Sequence, residues 1–162
     1  MEIRPFAPGD EIAISEIYNH YIANTVVTFE EQPLSPTQMR ERIENYLINY
    51  PWFVGVIDGV IVGYSYASQF HQRAAYRHTA ELTVYLRKGF GRRGLGRQLY
   101  APLMDHLQAH GCHAMLAAIA LPNDGSVGLH EALGFSKVAH FSQVGHKFGE
   151  WVDVGYWQKL VA

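Results

Sequence analysis

The chain has 162 residues, of which 48% are apolar and 17% charged, with a formal charge of −2. That length suits one domain spanning residues 1–162, and that balance suits a soluble protein with a real core and no global field to recruit nucleic acid or a membrane. One cysteine, Cys112, rules out an intrachain disulfide. The start, MEIRPFAPGDE, has no apolar signal region, and no stretch approaches the roughly 20 apolar residues of a membrane span. Together these features point to a cytoplasmic enzyme or binding protein.

No internal repeat or low-complexity tract interrupts the chain. After a short extended start (Glu2 to Phe6), Ile14, Ile17, Tyr18, Tyr21 and Ile22 recur at helical spacing. A second helix opens with Ser35 as cap, Pro36 at its first position and Gln38 completing a capping box; Met39, Ile43 and Leu47 form its apolar stripe. WFVGVIDGVIVGYSYA reads as a hairpin turning at Asp58-Gly59. In the strand RHTAELTVYL (77–86), His78, Ala80, Leu82, Val84 and Leu86 face a core, while Arg77, Thr79, Glu81, Thr83 and Tyr85 form a polar face. A helix from Leu95 carries Leu99, Leu103 and Leu107, with Pro102 predicted to bend it and Gly111 to end it. AMLAAIAL suits a buried, parallel strand. Asn123 or Asp124 caps a short helix bearing Val127, Leu129 and Leu133 and closed by Gly134; strands follow over 135–146 and 151–160. The order βααβββαβαββ predicts an α/β fold with a mixed sheet.

GFGRRGLGRQL, residues 89–99, sets four glycines and three arginines between a strand and a helix. Glycine loses the most backbone entropy on folding, so such a corner needs a reason. Unpaired N–H groups of a first helical turn, close backbone approach and arginine charge make a diphosphate site. GFGRRG matches the dinucleotide fingerprint literally, but no acidic residue ends the next strand, and no Gly-Lys-Ser/Thr follows the turn.

GRRGLGRQL after TAELTVYL, with LPNDGSVGLHEALGF beyond, resembles the GNAT superfamily of acetyl-CoA-dependent N-acetyltransferases. NHYI (19–22), YPW (50–52), AYRHTAELTVYL (75–86), LPND (121–124), HEALGF (130–135) and DVGYWQ (153–158) narrow the likeness to its phosphinothricin and methionine sulfoximine branch. The resemblance implies a GNAT-like fold, with a mixed, mostly antiparallel sheet flanked by helices. It also implies a homodimer that acetylates the α-amino group of a small amino-acid analogue, with no metal. Donor contacts are implied at Thr83, Val84 and Tyr85, through Gly89, Gly91, Arg92, Arg93, Gly94, Leu95, Gly96 and Arg97, and at Asn123 and Ser126. Gly91 stands where the superfamily usually has Gln or Arg, so Arg92 or Arg93 is expected to supply the side-chain charge.

Amine acetylation needs a base, because an amine of pKa near 8 or above is mostly protonated at neutral pH. Glu81 on the polar strand face matches the family's base, directly or through water; its plainer reading is an ion pair with Arg77 or a neighbour. His130 fills the slot where many relatives place a tyrosine that protonates the leaving thiolate; its plainer reading is an inert helical histidine. Asn123 is either a pantetheine contact or merely a cap. The acceptor is expected at Phe29, His71, Arg73 and Tyr76, with His71 replacing the lysine of herbicide-resistance members. That exchange puts a neutral sulfoximine or sulfone on a par with phosphinothricin. Alternatives are an acceptor that is a protein N-terminus or a polyamine, and a non-catalytic coenzyme A-binding module. His106, His110, Cys112 and His113 lack the accompanying glutamate of a zinc motif and are set aside.

Overall fold

The computed structural model describes residues 1–161. Its elements are β1 (Glu2–Pro5), α1 (Glu11–Asn24), α2 (Pro36–Leu47), β2 (Trp52–Ile57), β3 (Val60–Gln69), β4 (Thr79–Leu86), α3 (Leu95–Ala109), β5 (Ala114–Leu121), α4 (Asp124–Ala132), β6 (Ser136–Lys147) and β7 (Glu150–Leu160). A short 3-10 turn over Ala74–Tyr76 precedes β4. The order is the one read from the sequence, with one seven-stranded sheet, β1-β2-β3-β4-β5-β7-β6. Every neighbouring pair is antiparallel except β4 and β5, which run parallel.

Local chemistry explains most boundaries. Ser35 Oγ accepts from the Gln38 N–H at 3.1 Å, and Gln38 Oε1 accepts from the Ser35 N–H at 2.9 Å, so the capping box is complete. Asp58 and Gly59 both take positive φ, as a type I′ turn requires. Helix α3 continues through Pro102 and ends on a left-handed Gly111, with Gly111 N–H on Gln108 O and Cys112 N–H on Leu107 O.

Details shift at the ends of some elements. Strand β4 begins at Thr79, because His78 O instead accepts from the N–H groups of His113 and Ala114. Leu47 is 40% exposed at the end of α2, whose fully buried residues are Met39 and Ile43. Helix α4 packs Val127, Leu129 and the following Leu133 partly buried against the core, and its fully buried residue is His130.

The sheet separates two apolar layers. Ile14, Ile17, Ile22, Met39 and Ile43 of α1 and α2 cover Trp52, Val54 and Tyr64 on one side. Leu103 and Leu107 of α3, with Phe135, cover Ala67, Ala80, Leu82, Met115 and Trp157 on the other. Alternation along β4 therefore sends Ala80 and Leu82 toward α3 and Glu81, Thr83 and Tyr85 toward α1 and α2. Tyr85 departs from the polar face expected of it: its ring meets Tyr18 edge-on at 5.3 Å.

Candidate active site

Pairing between β4 and β5 stops early. Thr79, Ala80 and Glu81 pair with Ala114, Met115 and Leu116, after which the strands splay while each keeps its outer neighbour. Arg87 donates its N–H to Val62 O, so in this regular register the odd-numbered β4 residues bond to β3. Even-numbered backbone groups point the other way, and Leu86 O accepts from the Tyr21 hydroxyl there. The Val84 N–H is thus directed into the opened wedge, with no strand opposite it.

That wedge is a cleft of about 770 Å³. Glu81, Thr83, Val84 and Tyr85 form one wall, Ala117–Ala120 of β5 another, and Asn123, Ser126 and His130 the side beyond β5. The glycine corner closes its far end with Gly89, Gly91, Arg92, Gly94, Leu95, Gly96 and Arg97. Gly89, Arg92 and Gly94 have positive φ, which winds the turn so that α3 starts on a left-handed Gly94 with no side chain capping it. The first N–H groups of α3 are therefore open to an anion. Gly96 answers a different need: a Cβ there would lie 3.1 Å from Leu129 Cδ2, so α3 and α4 approach closely over this residue. Arg93 does not line the cleft; its guanidinium sits 5.4 Å from the Phe90 ring centroid, leaving Arg92 as the arginine of that pair in the wall.

Glu81 is half-buried, and among the described residues no group hydrogen-bonds or ion-pairs with its carboxylate. Burial pushes it above the ordinary carboxylate range, opposed by nearby His71. The Arg77 pairing does not form, since Arg77 Nη1 donates to Ala74 O at 3.1 Å. His71 and Tyr76 stand with ring centroids 5.0 Å apart, joined by Phe70, which also meets Tyr156 at 6.4 Å. Tyr156 is pushed up by burial and by the Glu81 charge, so this aromatic group borders the carboxylate. Arg73 is exposed just before the 3-10 turn, and Phe29 lies farther off against Gly145.

Residues 3–155 match the family described as acetyltransferase (GNAT) domain. The chain belongs to the GNAT acetyltransferase family. It is 41% identical over 159 residues to a phosphinothricin N-acetyltransferase of Streptomyces viridochromogenes, covering 98% of this chain and 87% of the relative. An L-methionine sulfoximine/L-methionine sulfone acetyltransferase of Salmonella typhimurium is 35% identical, with 98% and 93% covered. The crystal structure of a phosphinothricin acetyltransferase from Sinorhizobium meliloti in complex with acetyl-CoA superposes with a TM-score of 0.96 at 34% identity, covering 99% of this chain and 88% of that one. The protein is an acetyl-CoA-dependent acyltransferase, and its cleft fits that donor: an open helix start for the pyrophosphate and a free strand edge for the pantetheine amides.

Within this acetyltransferase His130 departs from the acid role expected of it. Its Nδ1 lies 2.7 Å from Ser126 O, which can only accept, so Nδ1 carries the proton. Nε2 then accepts from the Tyr100 hydroxyl at 3.0 Å, and burial pulls the ring below the ordinary imidazole range. A neutral histidine with both nitrogens engaged has no proton ready for a thiolate. Asn123 Oδ1 accepts from the Ser126 N–H at 3.1 Å, which caps α4 while the residue also lines the cleft.

Sequence reasoning missed Tyr100, Thr28 and the alanines of β5 as cleft residues. The alanine run did carry a signal, because small side chains leave room beside a splayed strand. Tyr100 and Thr28 carried none. Among the described residues no helix is long and apolar enough to cross a membrane, and no three His, Cys, Asp or Glu gather as for a metal ion.

Proposed function

We propose that the enzyme acetylates the α-amino group of a small, neutral amino-acid analogue of the methionine sulfone or sulfoximine kind, with Glu81 as general base. The supporting observation is the pairing of an unpartnered, half-buried carboxylate with a free Val84 N–H in one cleft. Acetyl-CoA supplies the activated acyl group as a thioester. Val84 N–H donates to the carbonyl oxygen as negative charge develops there. Glu81, held above the ordinary carboxylate range by burial and so a stronger base than a free carboxylate, accepts the amine proton directly or through one water. A free thiol has a pKa near 8.5, so its thiolate leaves without a dedicated acid, in keeping with the engaged state of His130.

A neutral acceptor side chain is favoured by a second cavity of about 590 Å³ beside the site. Ser68, the cross-strand partner of Glu81, lines it with Asn45, Asn49, Gln69, Gln72 and His71, and no Asp, Glu, Lys or Arg takes part. Carboxamides and hydroxyls suit a sulfone oxygen better than a phosphinate anion. Exposed Arg73 and Tyr76 are offered to the acceptor carboxylate. The homodimer is proposed to form through β6 and β7, where Phe141, Val144, Phe148 and Trp151 are solvent-exposed. The protein is proposed to act in the cytoplasm as one catalytic domain.

Thiol release from acetyl-CoA across an amine panel tests this reading. Methionine sulfone and methionine sulfoximine are expected to give higher kcat/KM than phosphinothricin, short peptides or polyamines. No release with any amine, despite tight coenzyme binding, would replace it with a non-catalytic coenzyme A-binding role.

A further inference from the structure

The segment between α1 and α2 walls the cleft with Val27 and Thr28. Its helix side is held firmly: Arg42 grips Glu30 with two 2.7 Å bonds, Tyr18 donates to Glu30, and Thr28 Oγ1 lies 2.8 Å from the Tyr18 hydroxyl. Its other side rests on β6 through two contacts far apart in sequence. Lys147 Nζ donates to Thr28 O at 2.8 Å, and the tip of the Phe29 ring lies against Gly145, where a Cβ would come within 2.4 Å of Phe29 Cζ. Gly145 and Lys147 are both buried and alternate onto one face of β6.

Lys147 is the odd member of this arrangement. The residue is 2% exposed, and among the described residues its ammonium has a single hydrogen-bond acceptor, with the ring centroid of exposed Phe148 5.0 Å away. Burial pulls it below the ordinary lysine range, with Glu31 and Glu30 near enough to oppose the shift. An apolar side chain of the same length would fill the space without the cost of desolvating a charge. Packing alone therefore does not call for lysine here. A donor for the Thr28 carbonyl does, since a buried carbonyl without a partner is costly.

We propose that Lys147 is a positioning residue for the acceptor: with Gly145 as the seat of Phe29, it clasps residues 25–34 to β6 and fixes the wall that Val27 and Thr28 add to the cleft holding Glu81. The inference rests on the acceptor-side reading given above. Two variants test it, Lys147→Met and Gly145→Ala, each as the full chain.

Amide hydrogen exchange without ligands is expected to speed up about tenfold or more across residues 25–34 in both, from the lost charged donor in Lys147→Met and the displaced Phe29 in Gly145→Ala, and to stay unchanged in β2 and β3. With L-methionine sulfone as acceptor, its KM is expected to rise about tenfold, while kcat and the acetyl-CoA KM stay within twofold. The double variant is expected to be no worse than the poorer single one, since both release the same segment. Unchanged exchange over 25–34, or a joint loss of kcat and both KM values with faster exchange throughout, would overturn the clasp. If the wild-type enzyme acetylates no amine, the acceptor reading fails by itself, and the exchange comparison still decides whether the clasp exists.

Discussion

Replacing Glu81 with Gln is expected to move activity and stability in opposite directions. The exchange keeps the shape and removes only the proton acceptor. General-base catalysis commonly contributes 10²- to 10⁴-fold, so turnover at neutral pH is expected to fall by that factor, about 2.7–5.4 kcal/mol in the barrier. Burial raises the Glu81 pKa, and the base works only when ionised, so wild-type kcat/KM is expected to fall on the acid side at a pH above the ordinary carboxylate range. The variant loses that limb and keeps the rise caused by deprotonation of the amine itself. For stability the sign reverses. A carboxylate whose pKa is raised on folding adds stability while protonated, and that contribution is lost as pH rises through the folded value. Above the folded value the ionised group is thus a net cost, and there the variant is expected to melt higher than wild type, with the gap closing below about pH 4, where both folded and unfolded carboxyls are protonated. Thiol release followed from pH 4 to 9, with melting curves over the same range, measures both effects. A variant rate within threefold of wild type, or a variant profile that still carries the carboxyl limb of wild type in addition to the rise from amine deprotonation, would refute the assignment.

Tyr100→Phe leaves Nε2 of the buried His130 without a donor, a loss of about 1–3 kcal/mol, so its Tm is expected to drop by about 2–12 °C. Because burial lowers the His130 pKa, the stability of its neutral form is present above about pH 6.5 and fades as pH falls through the folded value. Melting curves of His130→Gln are expected to show a flatter acid decline than wild type. Arg92→Ala is expected to raise the acetyl-CoA KM several-fold, as removal of a charge-assisted contact does, whereas Arg93→Ala leaves it within twofold, since of these two Arg92 alone lines the cleft. Gly63→Ala sets a Cβ 2.8 Å from Tyr85 O and 2.7 Å from Leu86 Cδ2, and is expected to lower stability in urea by about 1–3 kcal/mol.

What could be read from the chain follows from how local each cause is. Ser35 and Gln38 are three residues apart, and Asp58 and Gly59 are adjacent, so cap and turn were legible. The glycine corner was legible for the same reason, because backbone freedom and charge are written in consecutive residues. Which arginine faces the cleft was not, since Arg92 and Arg93 differ only in a φ angle that the turn imposes. Glu81 stood out as a carboxylate in the middle of a central strand. The splay that frees Val84 was hidden, because it depends on β5 leaving β4 after Leu116. His130 was visible as a position but not as a chemistry: Tyr100, thirty residues earlier, decides what its Nε2 does. The Lys147 clasp reaches Thr28 across 119 residues, and no periodicity encodes such a contact.

A crystal structure with acetyl-CoA and L-methionine sulfone is the most direct measurement. It is expected to show pyrophosphate oxygens on the N–H groups that open α3, the thioester oxygen within 3.2 Å of Val84 N as in an ordinary hydrogen bond, and the acceptor amine within reach of the Glu81 carboxylate. Donor density that leaves the splayed edge empty, or that turns the thioester away from Glu81, would contradict the account.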